Sequence, residues 1–449
     1  ALTEAGVATE EELAAIRSQI EEENEKIFLL ASDPVISPLN DFKKNPGYVE
    51  NVLFSNGHVE SFSDRVPEVN SLEGNPRLEQ IAKRSRFAYD ENGKELSKTK
   101  TLQIRDALFE AILDRFTKDA SMVSYAEDIR DWGGSYSVYR GLTEALPYHR
   151  MFNAPISESA IVGSAVGYAM AGGRAVVELM FADFLGCAGD EIFNQMAKWQ
   201  AMSGGALRVP VILRATIGSK YGAQHSQDPS SLVSHIPGLK VVMPATPYDA
   251  KGLMNAALAG TDPVVFFECQ RIYDMGEKFH EGGVPEGYYE VEIGEPDVKR
   301  VGTDVTILSA GATLYRAMEA ADRLEKEFGI STEVIDARSL VPFHYEKVVE
   351  SVKKTGFIIL TSDAVTRGNI LNDMAENISR LAFDYLDAPP IVVGARNWIT
   401  PAFEYDHEYA PQPEWYIDAI HENFFPLKGY ETTANLTNVE LMRRSRLGV

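Results

Sequence analysis

The chain has 449 residues, 45% of them hydrophobic and 24% charged, the composition of a folded globular protein of two or three domains. Its 66 acidic side chains against 43 basic ones give a formal charge of −23, which argues against a nucleic-acid binder and against docking on an anionic membrane. Cys187 and Cys269 make no disulfide framework and sit in apolar sequence, so a reducing cytoplasmic setting is expected; no apolar run reaches membrane-spanning length.

The first residue is Ala1 rather than Met, as in a processed chain or one cut from something longer. Thr9-Glu-Glu-Glu12 has the form of a capping box, with Thr9 as N-cap and Glu12 reaching back. Leu13, Ile16, Ile20 and Ile27 then fall on one helical stripe, and Asp33-Pro-Val-Ile-Ser-Pro38 stops the helix. Residues 39–97 are polar with scattered Gly and Pro and read as a connector. Helix resumes over 104–115. Buried-strand runs at 175–180, 209–215, 240–243 and 264–268 alternate with helical segments, which predicts a largely parallel sheet with helices on both faces. A Gly-rich, charged stretch at 273–302 leads to a second such block. Its strands are expected near 304–309, 331–336, 357–361 and 390–393, and its helices near 314–328 and 368–381. The expected organisation is a helix over 1–38, a connector over 39–97, an α/β domain over 98–272, an interdomain stretch over 273–302, a second α/β domain over 303–428 and a tail over 429–449.

The most informative segment is Ala154-Pro-Ile-Ser-Glu-Ser-Ala-Ile-Val-Gly-Ser-Ala-Val-Gly-Tyr-Ala-Met-Ala-Gly-Gly173. It places one carboxylate, Glu158, at the start of an apolar helix. Gly163, Gly167 and Ala171 recur at i, i+4 and i+8, leaving one face nearly bare backbone. A glycine costs a helix interior about 1 kcal/mol relative to Ala, so this pattern points to close packing against a partner helix. Glu158 held at such a surface is expected to be desolvated and to keep or share a proton near neutral pH. The plainer alternative, an acid complementing the helix dipole, stays open on these residues alone.

Further along, Met180-Phe-Ala-Asp-Phe184 ends a buried strand and Lys198-Trp-Gln-Ala-Met-Ser-Gly-Gly205 closes a helix. Gly222-Ala-Gln-His-Ser-Gln-Asp228 carries His225 in a Gly- and Ser-rich loop, and His235-Ile-Pro-Gly-Leu-Lys-Val-Val-Met-Pro244 leads into another strand. In this order, over roughly residues 102–425, the segments resemble the beta subunit of the thiamine-diphosphate-dependent decarboxylating component of 2-oxoacid dehydrogenase complexes, a family that includes the pyruvate, branched-chain 2-oxoacid and acetoin enzymes. The resemblance implies two doubly wound α/β domains, a thiamine-diphosphate pyrimidine-binding domain followed by a transketolase C-terminal-like domain. It implies that Glu158 bonds the pyrimidine ring of thiamine diphosphate and favours the imino tautomer that removes the thiazolium proton. Phe184 then stacks on the pyrimidine, and Glu127, in Ser124-Tyr-Ala-Glu-Asp-Ile129, lines a polar path between paired active sites. His225 becomes a proton donor at the substrate end, assisting acyl transfer to lipoamide. Without the resemblance, Phe181 and Phe184 read as core aromatics, Glu127 as a solvated loop acid and His225 as a surface residue.

The diphosphate of this cofactor binds Mg²⁺ through oxygen ligands, usually from a Gly-Asp-Gly sequence and a later Asn. The chain contains no Gly-Asp-Gly, and Gly189-Asp-Glu191 is the nearest approach. No metal ligand is therefore assigned here, and those for Mg²⁺ are expected from the alpha part. The opening helix resembles the end of an alpha subunit, so the chain is expected to be a beta subunit or the beta-like half of a fused alpha–beta chain. Expected partners are the alpha polypeptide, a second copy of the chain, and the lipoyl domain of a dihydrolipoyl acyltransferase. The expected reaction is oxidative decarboxylation of a 2-oxoacid with reductive acylation of a lipoyl group. Branched-chain acids such as 2-oxoisovalerate come first, because Met180-Phe-Ala-Asp-Phe184 looks closest to that branch; pyruvate and acetoin are the alternatives. A transketolase-type sugar-phosphate transferase would carry its own diphosphate motif, and a non-catalytic scaffold would lose Glu158 or His225. Some relatives hold a monovalent cation on main-chain carbonyls at the segment corresponding to 257–262; here Gly260 and Asp262 replace the expected Asp and Asn, so no such site is assigned.

Overall fold

The computed structural model describes residues 2–134, 136–219 and 221–449. Ala1, Ser135 and Lys220 of the His225 loop lie outside the described residues. Two compact units are distinguished, Ala1–Val52 and Leu53–Val449. In the first, a helix spans Glu10–Ser32 behind the predicted capping box. Thr9 Oγ1 accepts from the Glu12 amide at 3.1 Å, and the Glu12 carboxylate accepts from the Thr9 amide at 2.8 Å. No residue of this helix is buried, so its stripe of Ile16, Ile20 and Ile27 stays exposed.

The strands of the second unit are, in chain order, β1 (Met122–Ala126), β2 (Met151–Asn153), β3 (Arg174–Leu179), β4 (Val211–Ile217), β5 (Lys240–Val242), β6 (Val264–Cys269), β7 (Asp297–Arg300), β8 (Val305–Ser309), β9 (Thr332–Asp336), β10 (Ser339–Val341), β11 (Ile358–Val365) and β12 (Ile391–Ala395). One sheet runs β10-β5-β6-β4-β3-β1-β2 and is parallel except for β10; the other runs β12-β11-β8-β9-β7 and is parallel except for the edge strand β7. Every residue of β3, β4 and β6 is buried, which is why these strands read as near-continuous apolar runs. The predicted strands appear, as do the helices Thr313–Arg323 and Ile370–Leu381.

The strands that the pattern missed are short or polar. β1 is five residues broken by Ser124, and β2 is three residues. β7 lies inside the stretch read as an interdomain connector, and its charged Asp-Val-Lys-Arg sequence suits an exposed sheet edge. β10 leaves the second block to pair with β5, Ser339 opposite Val242. The two α/β bodies therefore share a wall: the Tyr315 hydroxyl donates to the Ala245 carbonyl at 3.0 Å, and the Arg271 guanidinium forks Asp406 at 2.7 and 2.5 Å. Residues 53–97 are tied down too, since the Arg86 guanidinium forks Glu110 of the Ile104–Lys118 helix at 2.9 and 2.5 Å.

The cysteines do not share one environment. Cys187 is exposed rather than apolar-packed, because its turn lies at the rim of the sheet. Cys269 is buried with Asp363 at 3.9 Å, and burial, then that carboxylate, push its thiol up to about 12. Among the described residues no helix is long and apolar enough to cross a membrane.

Candidate active site

The chain runs from β1 to the edge strand β2, then crosses back by the Glu158–Met170 helix to β3 on the other side of β1. Such a reversal opens a crevice beyond the carboxyl ends of the parallel strands, where open α/β sheets bind ligands. The four site residues expected from the sequence all lie at this edge. Glu127 follows β1 directly, Glu158 is the first residue of the crossover helix, Phe184 lies in the Ala182–Ala188 turn after β3, and His225 lies in the loop after β4.

Glu127 and Glu158 are both half-buried. Burial pushes the Glu127 pKa up, and the charges of Glu158, Asp128 and Glu178 push it the same way. Glu158 heads the packed face of this helix, with Ile161, Val162 and Ala165 at i+3, i+4 and i+7. The helix buries Ile161, Val162, Ala165, Val166 and Ala169 but leaves Ala160, Ser164, Gly167 and Ala171 exposed. Only at Gly163 is the approach close, where a Cβ would lie 3.1 Å from Glu191 Cγ.

Ser159 Oγ donates to the Cys187 carbonyl at 3.0 Å, which fixes the helix start against the turn carrying Phe184. Phe181 and Phe184 are half-buried rings rather than core residues, and their planes stand edge-on to His225 with centroids 4.6 and 5.5 Å away. Tyr221 and Tyr136 extend this wall, 6.3 and 6.2 Å from Phe181. The site thus consists of two pairs, Glu127 with Glu158 and Phe184 with His225, connected through the Ala182–Ala188 turn.

Comparison with known proteins agrees with the fold. Residues 100–275 match the family described as transketolase, pyrimidine binding domain, and residues 294–414 match transketolase, C-terminal domain. A split-gene transketolase, solved as an inactive beta4 tetramer, shares the fold with a TM-score of 0.58 at 23% identity, over 72% of this chain and 97% of its own. The beta subunit of acetoin:2,6-dichlorophenolindophenol oxidoreductase from Cupriavidus necator is 43% identical over 299 residues, 64% of this chain and 86% of that one. The 2-oxoisovalerate dehydrogenase beta subunit of Bacillus subtilis is 38% identical, covering 63% of this chain and 86% of its own. The pyruvate dehydrogenase E1 component beta subunit of Acholeplasma laidlawii is 37% identical, covering 70% and 95%. The chain belongs to the E1 beta-subunit family of 2-oxoacid dehydrogenases.

In this E1 beta-type chain, the same edge carries residues that the sequence reading did not assign. Asp183 Oδ1 accepts from the Gln227 amide at 3.3 Å, so it ties the Phe184 turn to the His225 loop. Burial raises the Asp183 pKa against the lowering effect of the Gln227 and Ser226 amides, and its Oδ2 is buried without a partner. Behind the loop a charged row crosses three buried strands. The Arg214 guanidinium of β4 forks Glu268 of β6 at 2.6 and 2.7 Å and donates to Glu178 of β3 at 2.7 Å, while the Tyr273 hydroxyl donates to Glu268 at 2.5 Å. Burial works against the Arg214 charge, but Glu268 and Glu178 outweigh it and hold its pKa above the ordinary value. The signal for this row was present: Glu178, Arg214 and Glu268 each interrupt the apolar run of a buried strand.

Among the described residues, no group of three or more His, Cys, Asp or Glu is arranged to hold a metal. At 257–262, the Gly260 carbonyl and the Asp262 carboxylate are already engaged by other groups of the chain. The Gly260 carbonyl accepts from Arg174 at 2.8 Å, and the Asp262 carboxylate pairs with Lys240 at 2.9 Å and accepts the Ser55 amide at 2.6 Å.

Proposed function

We propose that this E1 beta-type chain supplies the pyrimidine half of a thiamine diphosphate site for the oxidative decarboxylation of a 2-oxoacid, with branched-chain acids such as 2-oxoisovalerate as substrates. The observation that carries the reading is the placement of the carboxyls Glu127 and Glu158 at the switch point, linked through one turn to the aromatic wall around His225. These residues fit the cofactor's aminopyrimidine: a carboxyl at a helix start to bond the ring nitrogen, and a half-buried ring, Phe184, to stack on it. Bound thiamine diphosphate supplies a carbon nucleophile for the keto group and an electron sink for the loss of CO₂. Glu158 holds the proton at the pyrimidine nitrogen, and Glu127 stands beside it as a second carboxyl at the same edge. Phe181, Phe184 and Tyr136 shield the site, exposed Tyr221 extends the wall outward, and His225 passes a proton from its imidazole to the substrate oxygen or to the departing lipoyl sulfur. This wall suits an apolar acyl group, whereas a sugar phosphate asks for cations that none of these five rings supplies permanently.

The diphosphate and its Mg²⁺ are assigned to the alpha polypeptide, because the chain has no Gly-Asp-Gly. A tetramer containing a second copy of this chain would cover the exposed Gly167 and Ala171 face of the Glu158–Met170 helix. The acyl group then passes to the lipoyl domain of an acyltransferase partner.

The test is reconstitution with the alpha polypeptide, thiamine diphosphate and Mg²⁺, followed by a panel of 2-oxoacids, acetoin and sugar phosphates. Turnover of 2-oxoisovalerate ahead of pyruvate is expected. A preference for pyruvate or acetoin reassigns the substrate, and sugar-phosphate transfer without decarboxylation removes the proposal. In the same preparation, His225→Ala should lower reductive acylation of lipoamide by about 10²–10⁴-fold, the usual value of a general acid. Decarboxylation read with an artificial electron acceptor should fall less. Equal losses in both assays would give His225 a role common to both steps, such as orienting the substrate.

A further inference from the structure

A cavity of about 420 Å³ opens between the Pro76–Ala82 helix and the loop at 140–144, lined by Pro76, Arg77, Gln80, Arg140, Gly141 and Glu144. A second hollow of about 320 Å³ shares Pro76 and Gln80 and adds the cations Lys83, Arg84 and Lys100. Neither includes Glu158, Phe184 or His225.

The floor of the first cavity is built around one buried cation. Arg77 is 7% exposed, and its Nε has no hydrogen-bond partner. Its Nη2 lies 2.6 Å from Asp106, but that single carboxylate also pairs with Arg84. Burial disfavours the Arg77 charge, Asp106 offsets this in part, and Arg84, Arg105 and Arg140 add repulsion. Arg105 has its own partner in Asp274. The cluster is therefore under-neutralised, in a chain whose formal charge is −23. A buried guanidinium N–H without an acceptor is costly, and an anion in the cavity supplies the acceptor. The close approach that forms the floor depends on Gly141. Its φ is +99°, a Cβ there would lie 2.5 Å from Arg77 Cβ, and its carbonyl accepts from Asn75 Nδ2 at 2.8 Å.

We propose that this two-lobed cavity binds a compact di- or polyphosphate, at a site separate from the catalytic edge. Guanidinium forks match phosphate oxygens, and two joined lobes, each with its own cations, suit an anion with more than one charged group. The volumes lie in the range of small-ligand pockets rather than of polymer grooves. Glu144 and Glu79 on the rim set a threshold that a monoanion at physiological salt does not overcome. The proposal is independent of the catalytic reading.

Inorganic pyrophosphate is the probe, titrated calorimetrically into the full chain assembled with its alpha polypeptide and saturated with thiamine diphosphate and Mg²⁺, so that the cofactor site is already filled. One saturable event per chain is expected, weakening as salt rises. Arg140→Glu and Lys83→Glu, both exposed rim positions, should each weaken it by about tenfold or more without moving the thermal transition. Inorganic phosphate in place of pyrophosphate should bind more weakly. Absence of saturable binding, or affinity unchanged in both variants, overturns the site. Binding seen only before thiamine diphosphate is added would show that pyrophosphate reports the cofactor site instead.

Discussion

Glu158→Gln is expected to lower turnover of the reconstituted enzyme by about 10²–10⁴-fold while leaving thermal unfolding nearly unchanged. The amide keeps the volume and can still bond a ring nitrogen, but it cannot exchange a proton with it. Stability should survive because Glu158 is only half-buried at the helix start, and the face it begins is packed further along by Ile161, Val162 and Ala165. Losing a first-turn carboxylate costs a helix only about 0.3–1 kcal/mol through the dipole. The two readings of Glu158 therefore separate cleanly. An acid that merely complements the dipole gives a small loss of stability and full activity; an acid that serves the pyrimidine gives the reverse. Hydrogen–deuterium exchange at the thiazolium carbon is the direct readout, and exchange at the wild-type rate in the variant would sink the assignment.

The sheet was legible where burial on both faces makes strands read as unbroken apolar runs, as in Val211–Ile217 and Val264–Cys269. It was illegible where pairing is decided by distant residues. Ser339–Val341 becomes a strand only because β5 offers an antiparallel partner nearly a hundred positions earlier in the chain. Asp297–Arg300 looks like a charged linker, because charge is how an edge strand avoids further pairing. At the candidate site, Glu158 and His225 stood out within their motifs. Asp183, which ties the two loops together, did not. Asp183 works through the Gln227 amide, a contact made across the gap between two loops that no spacing predicts.

The charged row behind the His225 loop leads to a second large effect: Arg214→Met should destabilise the chain by about 3–5 kcal/mol. The guanidinium is 1% exposed and serves two carboxylates, Glu268 at 1% and Glu178 at 3% side-chain exposure. Methionine fills much of the volume but removes the buried cation that Glu268 and Glu178 share, and the excess negative charge left in the interior, rather than the loss of the pair itself, causes the damage. Arg214→Lys should recover only part of the loss, since one ammonium cannot reproduce the fork to Glu268 and the bond to Glu178 together. The pH dependence fixes the cause. In the methionine variant burial and mutual repulsion raise the folded-state pKa of these acids above the unfolded value of about 4.3, so between the two values the folded state binds more protons. Stability must then fall as pH rises through that window, and the deficit against the parent chain should shrink on acidification. Adding Glu178→Gln and Glu268→Gln to Arg214→Met should restore stability near neutral pH and flatten the dependence. Denaturant unfolding of the full chain at several pH values measures all of this. A deficit in Arg214→Met that is large but independent of pH would mean that packing around Tyr139 and Tyr273, rather than excess negative charge, governs this wall of the site.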